Sequence, residues 1–436
     1  MVVIVRRSAE LIGIDGSTYR VDDIRDVETH TSVKVTRIAQ EIHCPECRCK
    51  THAHGSTTAT VYHAPYAGKP CLITLKKRRF RCPTCGKTFT EDQPLLCRLT
   101  PHASTRLEAF VLDELGKGKT IAELERITGA SKNIIAKLEA NAQMPKHRLP
   151  HNLCIDEVKA FPKRIAIRKG EPHMASCIYD ADEKTLVDML AGDDPKTVTA
   201  YLESFTKGER DAVATISCDL NGSYISLAEK FFPGAVIYAD KFHVAKLVTE
   251  AVDDVRRRLT RTIEDGIDHK EQRRILRKAA KLMLTRKDML KRQKERECVR
   301  CALESIGADD LKRAYLTLQL FFEWSDTTFE SRDEMETVLK RWISIARRTN
   351  VPEVRSVSNT ISRRKTYIVN AWEYGRTNAI AESLNRQIKD IIRTCRGFMS
   401  FGALRRRCLL VLGHKREPNK PIPLFTRSDK RKEGAS

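Results

Sequence analysis

No stretch of this 436-residue sequence approaches the roughly 18 consecutive apolar residues that mark a membrane-crossing helix. The apolar run at the start, MVVIVRRSAEL, is too short for a span or a signal peptide. The expectation is therefore a protein of the cytoplasm with no membrane partner. Internal repeats of fixed period are absent, which excludes solenoids and propellers. Carboxylates are in deficit: 57 Asp plus Glu face 79 Lys plus Arg, a formal net charge of +22. Such a balance says nothing about fold but favours a polyanionic partner, most often nucleic acid. Hydrophobic residues make up 41%, as in a soluble globular protein, and the length is too great for one simple core.

Cysteine, by contrast, is plentiful, with 14 residues. In a reducing compartment these are thiols or metal ligands rather than disulfides. Cys44-Pro-Glu-Cys47 and Cys82-Pro-Thr-Cys85 form two CxxC knuckles separated by residues 48–81. Each offers two thiolates from one tight turn, and the pair completes a tetrahedral, closed and therefore structural zinc site. The basic run KKRRFR just before the second knuckle would offset the net negative charge of such a centre. The gap is longer than in a compact ribbon, so Cys49 and His43 stand as substitute ligands. Cys298-Val-Arg-Cys301 has no second knuckle and reads as unliganded.

Organisation follows from composition. Residues 1–40 alternate apolar and polar positions (VVIVR, SVKVTRIAQ) and predict short strands. Residues 101–145 have helical period. Within them, KTIAELERITGASKNIIAKLEANAQ opens with Thr120 and Glu123 in capping-box spacing. Gly129 suits a sharp turn, and Ser131 suits the cap of a second helix. This spacing predicts a helix-turn-helix whose second helix turns Ser131, Lys132, Asn133 and Lys137 toward DNA. An ordinary helical hairpin is the competing reading. MPKHRLPHN is a linker. After it, LCIDEVKAF, RIAIRKG, ASCIYDA and KTLVDMLAG predict successive strands. Then DPKTVTAYLESF reads as helix, AVATISCDL as strand, GSYISLAEKFF as helix and GAVIYAD as strand, an α/β series. From Phe242 to about Trp372 the chain is helical and basic, and the tail beyond residue 413 is expected to be flexible.

Three strand-end aspartates, Asp156, Asp219 and Asp240, could converge on one sheet edge. Clustered carboxylates repel one another unless divalent cations such as Mg²⁺ neutralise them. Two such ions can activate a water or a 3′-hydroxyl during attack on a phosphodiester. Far downstream, TNAIAESLNRQIKDIIRTCRGF carries Ile380, Leu384, Ile388, Ile391 and Ile392 as one apolar stripe. Glu382 falls on the other side, flanked by Asn378, Asn385 and Lys389. Taken alone, each of these carboxylates is more often a turn residue or a solvated side chain.

The order of zinc module, helix-turn-helix, Asp, Asp, helical insertion and Glu resembles insertion-sequence transposases of the ISL3 family, of the DDE class. HCPECRCK, RRFRCPTCGKTFTE, CIDE, SCDLNGSYISLAEKFFPGAVIYADKFHV and NAIAESLNRQIKDIIRTCRGF carry the likeness. It implies a multi-domain α+β protein whose RNase H-like α/β catalytic domain is interrupted by an all-helical insertion. The expected segments are 1–98 (strands and zinc module), 99–145 (helix-turn-helix), 146–243 (catalytic core), 244–372 (basic insertion), 373–413 (final catalytic helices) and 414–436 (basic tail).

The likeness further implies an enzyme that binds terminal inverted repeats, hydrolyses the ends and joins the freed 3′-hydroxyls to target DNA. Asp156 and Glu382 would be the first and third ligands of two Mg²⁺ or Mn²⁺ ions. Counting strands makes Asp219 the fourth-strand residue and the second ligand, with Asp240 and His243 in support or as the alternative. Asn378, Asn385, Lys389, Arg393 and Arg396 would contact DNA. One structural Zn²⁺, double-stranded DNA partners, a homodimer or larger assembly on DNA and a prokaryotic, nucleoid-associated location complete the expectation. A non-catalytic DNA-binding regulator and an RNase H-like nuclease without strand transfer are the alternatives.

Overall fold

In Thr31–Arg37 the side chains of Val33 and Val35 are fully buried while Lys34 between them is exposed, the period-two pattern of a half-buried strand. The computed structural model describes residues 9–38, 40–98, 100–142, 148–220, 222–263, 267–375, 379–398 and 400–413. The predicted VVIVR strand, Asn378 and the tail lie outside the described residues. The first sheet holds β1 (Tyr19–Asp26), β2 (Thr31–Arg37), β3 (His52–Tyr66), β4 (Lys69–Arg81) and β5 (Thr88–Thr90), in the order β1-β2-β4-β3 with β5 beside β4. β3 and β4 form a long antiparallel ribbon turned by Ala67 and Gly68, both at positive φ (50° and 78°). This ribbon accounts for the long gap between the two knuckles.

Three helices follow, Thr105–Gly116, Ile121–Thr128 and Lys132–Ala140. Thr120 and Glu123 make the expected capping box, and Gly129 (φ 70°) closes the second helix in the left-handed region. Leu107, Val111, Leu124, Ile135 and Leu138 share one core. Ser131 stands at the start of the third helix, but its side chain makes no capping bond.

The second sheet contains β6 (Asn152–Lys159), β7 (Met174–Asp180), β8 (Thr185–Leu190), β9 (Thr215–Cys218) and β10 (Val236–Ala239), in the order β10-β9-β6-β7-β8. β6, β7 and β8 are antiparallel neighbours, whereas β9 and β10 run parallel to β6. The sheet is covered on both faces. Leu153 and Ile155 of β6 pack with helices Pro195–Glu203 and Gly222–Phe231 on one side. Cys154 and Val158 pack with helices Ala379–Thr394 and Phe401–Leu412 on the other. Side chains alternate along a strand, so Asp156, lying between Cys154 and Val158, falls on the second face.

One expected strand is a helix. RIAIRKG lies in Lys163–Lys169, preceded by Pro162 and closed by Gly170 at φ 66°. Its alternation imitates a strand, but the β6–β7 pairing ends at Lys159↔Met174, leaving the segment as a connection with no strand partner. Ile165 is half-buried while Ile167, which would share its face in a strand, is 76% exposed, so the two do not point the same way. With that segment helical, β9 is the fourth strand of its sheet in chain order and β10 the fifth.

Helices Lys241–Thr262, Ile267–Ala279, Gln293–Leu303, Asp309–Asp326, Arg332–Arg348, Pro352–Arg363 and Lys365–Glu373 enclose a core of Phe321, Trp324, Trp342 and Leu318. This core is continuous with Ala239 at the sheet edge.

Helix Phe401–Leu412 also reaches the three-helix unit. Arg407 Nε donates to Glu139 Oε1 at 2.8 Å, with both side chains at most 8% exposed. Removing one member of such a pair strands the other charge in a dry environment. Glu139→Ala should cost about 3–5 kcal/mol in urea unfolding. The double variant Glu139→Leu/Arg407→Met should recover most of that loss.

Candidate active site and zinc centre

The two knuckles repeat one backbone geometry. Cys44 and Cys82 each accept from the amide four residues on (Arg48 at 2.9 Å, Gly86 at 3.0 Å). The residue after each second cysteine is left-handed, Arg48 at φ 59° and Gly86 at φ 71°. Folding thus brings Cys44, Cys47, Cys82 and Cys85 together, with ligand atoms all within 4.8 Å of one another. The Cys44–Cys85 and Cys47–Cys82 sulfurs lie 3.6 and 3.4 Å apart. Four thiolates about 2.3 Å from a tetrahedral zinc would be separated by about 3.8 Å, so the set fits the ion. The backbone N–H of Cys85 is the main influence holding the Cys82 thiol down at about 6, suited to a thiolate ligand. Cys49 is not in the group and points its thiol at the Cys47 carbonyl. His43 is likewise outside it. Cys298 and Cys301 lie on helix Gln293–Leu303, where Cys301 faces Glu297.

On the second sheet, β6 delivers Asp156, the turn after β9 delivers Asp219, and Asp240 caps helix Lys241–Thr262 by accepting from the Phe242 N–H at 3.0 Å. His243, one turn into that helix, stands between the latter two. Its Nδ1 is 3.4 Å from Asp219 Oδ1 and its Nε2 3.7 Å from Asp240 Oδ2. Burial pushes the Asp156 carboxyl up, and the charges of Asp240 and Asp219 act in the same direction. The Glu157 N–H and His243 oppose them. Glu157 is also raised, chiefly by burial.

Helix Ala379–Thr394 packs across β6. Its buried residues are Ala381, Leu384, Asn385 and Ile388. Asn385 therefore belongs to the packing side of the helix, which corrects the polar-face placement expected from the sequence. Its Nδ2 donates to Asp156 Oδ2 at 2.8 Å, while its Oδ1 accepts from the buried Tyr179 hydroxyl at 2.5 Å. Spacing held the signal, because position 385 is four residues after Ala381 and three before Ile388. Tyr179 gave none.

Glu382, one turn before Asn385, is exposed and accepts from Arg386 at 2.6 Å. Among the described residues the four cysteines are the one group of three or more His, Cys, Asp or Glu whose ligand atoms lie within 4.8 Å of one another. The helix of Glu382 is thus docked on the strand of Asp156, while its carboxylate is turned to Arg386. Lys389, Arg393 and Arg396 are exposed, with Arg393 paired to Asp390 at 2.6 Å. Lys132, Asn133 and Lys137 are exposed together on helix Lys132–Ala140.

The zinc module is joined to a five-stranded mixed sheet that carries Asp156 inside β6, not at a strand end as expected, and Asp219 and Asp240 just beyond β9 and β10; comparison with known proteins gives this arrangement a family. Residues 153–408 match the ISL3-type transposase family. Residues 40–85 match the zinc-finger of the transposases of IS204, IS1001, IS1096 and IS1165. The transposase for insertion sequence element IS1557 of Mycobacterium tuberculosis, in strains CDC 1551 and H37Rv, is 26% identical over 363 residues, covering 77% of this chain and 78% of the relative. The chain belongs to the ISL3 family of insertion-sequence transposases. Its four cysteines form a structural zinc site, and no helix among the described residues is long and apolar enough to cross a membrane.

Two outcomes follow from this geometry. Purified protein should carry one zinc per chain by atomic absorption, and Cys82→Ser should carry none. A second test concerns Asp156. Its folded carboxyl titrates above the ordinary value of 3.8, so its contribution to stability is greatest at low pH and is lost as pH rises from 3.8 through the raised value. Without divalent cations, Asp156→Asn should therefore unfold at a higher temperature than wild type near neutral pH. That difference should vanish in acid, and Mg²⁺ should narrow it by stabilising wild type alone.

Proposed function

We propose that this protein is a DDE-type transposase that binds the terminal inverted repeats of its element, hydrolyses the DNA ends and joins the 3′-hydroxyls to target DNA. The observation that carries this reading is the Asn385–Asp156 bond, since it docks the helix of Glu382 on the strand of the first acid. The β10-β9-β6-β7-β8 order, with three antiparallel strands followed by two parallel ones, supports an RNase H-like catalytic core. The capping box, left-handed Gly129 and exposed Lys132, Asn133 and Lys137 support a helix-turn-helix that reads element ends. Segments 1–98, 99–145, 146–243, 244–372 and 373–413 serve as zinc module, reader, core, insertion and closing helices.

Asp156, Asp219 and Glu382 would hold two Mg²⁺ or Mn²⁺ ions: their hard carboxylate oxygens are the donors such ions take, with Asp156 largely buried, Asp219 half-exposed and Glu382 exposed and turned to Arg386 until it is released. When bound, such a pair activates a water or 3′-hydroxyl and stabilises the departing oxygen during in-line attack on a phosphodiester. Asp219 suits the second ligand better than Asp240. The Asp219 side chain is 39% exposed, whereas that of Asp240 is 8% exposed and already caps a helix. His243, between them, holds both carboxylates in orientation. Release of Glu382 from Arg386 frees its oxygens for the site, and Arg386 is then available to a DNA phosphate. Lys389, Arg393 and Arg396 extend the same exposed basic flank. Joining two ends calls for at least two chains on DNA.

Labelled end DNA and Mg²⁺ provide the test, with cut sites mapped to the nucleotide. Glu382→Gln should bind ends with wild-type affinity and cut none, and Asn385→Ala should slow cutting about 10- to 100-fold by loosening the support of Asp156. Normal cleavage by Glu382→Gln would remove Glu382 from the mechanism. Pre-cut ends incubated with target duplex should give joined product.

A further inference from the structure

Helices Arg332–Arg348, Pro352–Arg363 and Lys365–Glu373 enclose an open groove of about 470 Å³ on the helical insertion. Lys340, Arg347, Arg348 and Lys365 line it together with the hydroxyl residues Ser344 and Ser362, and no carboxylate is among its lining residues. Charge compensation is thin. Glu336, outside the lining, is shared by Lys365 at 2.9 Å, Arg332 at 3.5 Å and Lys340 at 3.7 Å. Arg347 donates only to the neutral Asn359 among the described residues. Four cations held beside one shared carboxylate form a concave positive field, which concentrates polyanions.

The groove is connected to the acids through the corner between two helices. Lys365 faces the groove, while Arg364 next to it reaches the other way, toward the loop after Asp219. Its Nη2 lies 2.9 Å from where a Cβ would stand on Gly222, so the guanidinium rests close against the start of helix Gly222–Phe231. Gly222 is three residues beyond Asp219. A backbone lying in the groove would therefore meet Arg364 on its way to the acids.

We propose that this groove is a phosphodiester-binding track that guides duplex DNA between the helical insertion and the catalytic acids, with Arg348 and Lys365 as its main phosphate contacts. The proposal deepens the transposase reading and rests on it for the direction in which the DNA runs. Guanidinium and ammonium groups beside serine hydroxyls suit phosphate oxygens, and the groove is too large for one isolated phosphate. The duplex occupying it could be DNA flanking the element or target DNA, and both present the same chemistry.

Salt dependence separates a phosphate-binding side chain from a structural one, because deleting one cation that pairs with a phosphate makes log K against log[salt] shallower by about 0.9. Arg347 and Arg348 are exposed, so Arg347→Ala/Arg348→Ala should unfold at the wild-type temperature. Lys340→Gln, two turns earlier on the same helix, is a second variant at a separate lining position. Three substrates are compared: an element end stopping at the cut site, the same end extended by flanking duplex, and a target duplex with pre-cut ends. The double variant should match wild type on the first. Its slope should be shallower by about 1.8 on whichever of the others occupies the groove, and that of Lys340→Gln by about 0.9 there. Reaction of that substrate should fall at least tenfold.

Unchanged slopes on all three substrates would overturn the groove and leave the catalytic reading standing. Altered slopes in a wild-type protein that cuts nothing in Mg²⁺ would sustain the groove and sink that reading. Stabilisation of wild type by inorganic phosphate alone, with unchanged slopes on DNA, would make this a small-anion site and overturn the proposal.

Discussion

The carboxylate of Asp156 sits on a strand face that packing requires to be largely apolar, among Cys154, Val158 and the helix that covers them. A charge in such a place is tolerated only with a partner. Asn385 is that partner, and Tyr179 fixes the amide from the other side. The three side chains decide how helix Ala379–Thr394 lies on β6, and hence where the rest of its polar residues can point. Helix docking and placement of Glu382 follow from this buried polar contact, while burial itself raises the proton affinity of Asp156. A hydrophobic residue at 385 would pack as well, but it would leave Oδ2 of Asp156 without its side-chain donor, with only Oδ1 still bonded to the Glu157 N–H.

Local signals were the legible ones. Both knuckles, the Thr120–Glu123 box and the Gly129 turn lie within a few residues of sequence, and the structure forms each as read. RIAIRKG is ambiguous because so short an apolar stretch suits a strand or a two-turn helix, and only a strand partner decides between them. It has none, since the β6–β7 pairing ends at Lys159↔Met174, and that is a non-local fact. Asn385 stands at helical spacing both from Glu382 and from Ala381 and Ile388, so spacing alone admits either face, and the fold puts it on the buried one. The orientation of Glu382 was beyond the sequence altogether, since its partner Arg386 competes with any ligand and the balance depends on charge brought from outside the chain.

The acids show why such a site is held partly open by its own electrostatics. Burial raises the proton affinity of Asp156, the charges of Asp240 and Asp219 act in the same direction, and the Glu157 N–H and His243 oppose them. Moving Glu382 closer without a compensating cation would add a further like charge to a partly buried place. Pairing with Arg386 at the exposed side of the helix is the lower-energy arrangement until positive charge is supplied. In the proposed reading, affinity for divalent cations would come from repulsion among carboxylates that packing keeps near one another.

A rigid path joins this edge to the three-helix unit. Helix Phe401–Leu412 lies against β8 on one side and helix Thr105–Gly116 on the other, where the Leu410 carbonyl approaches within 3.0 Å of a Cβ position on Gly116. Arg407 adds bonds to Glu139 and to the Lys119 carbonyl, so it grips both the helix that would read DNA and the loop before its partner. Buried ion pairs contribute little net stability compared with apolar packing, but they penalise every other register strongly. A three-helix unit held this way keeps a fixed distance to Asp156. Under the proposed reading, in which that unit recognises element ends, the fixed distance would turn binding into a defined cleavage position.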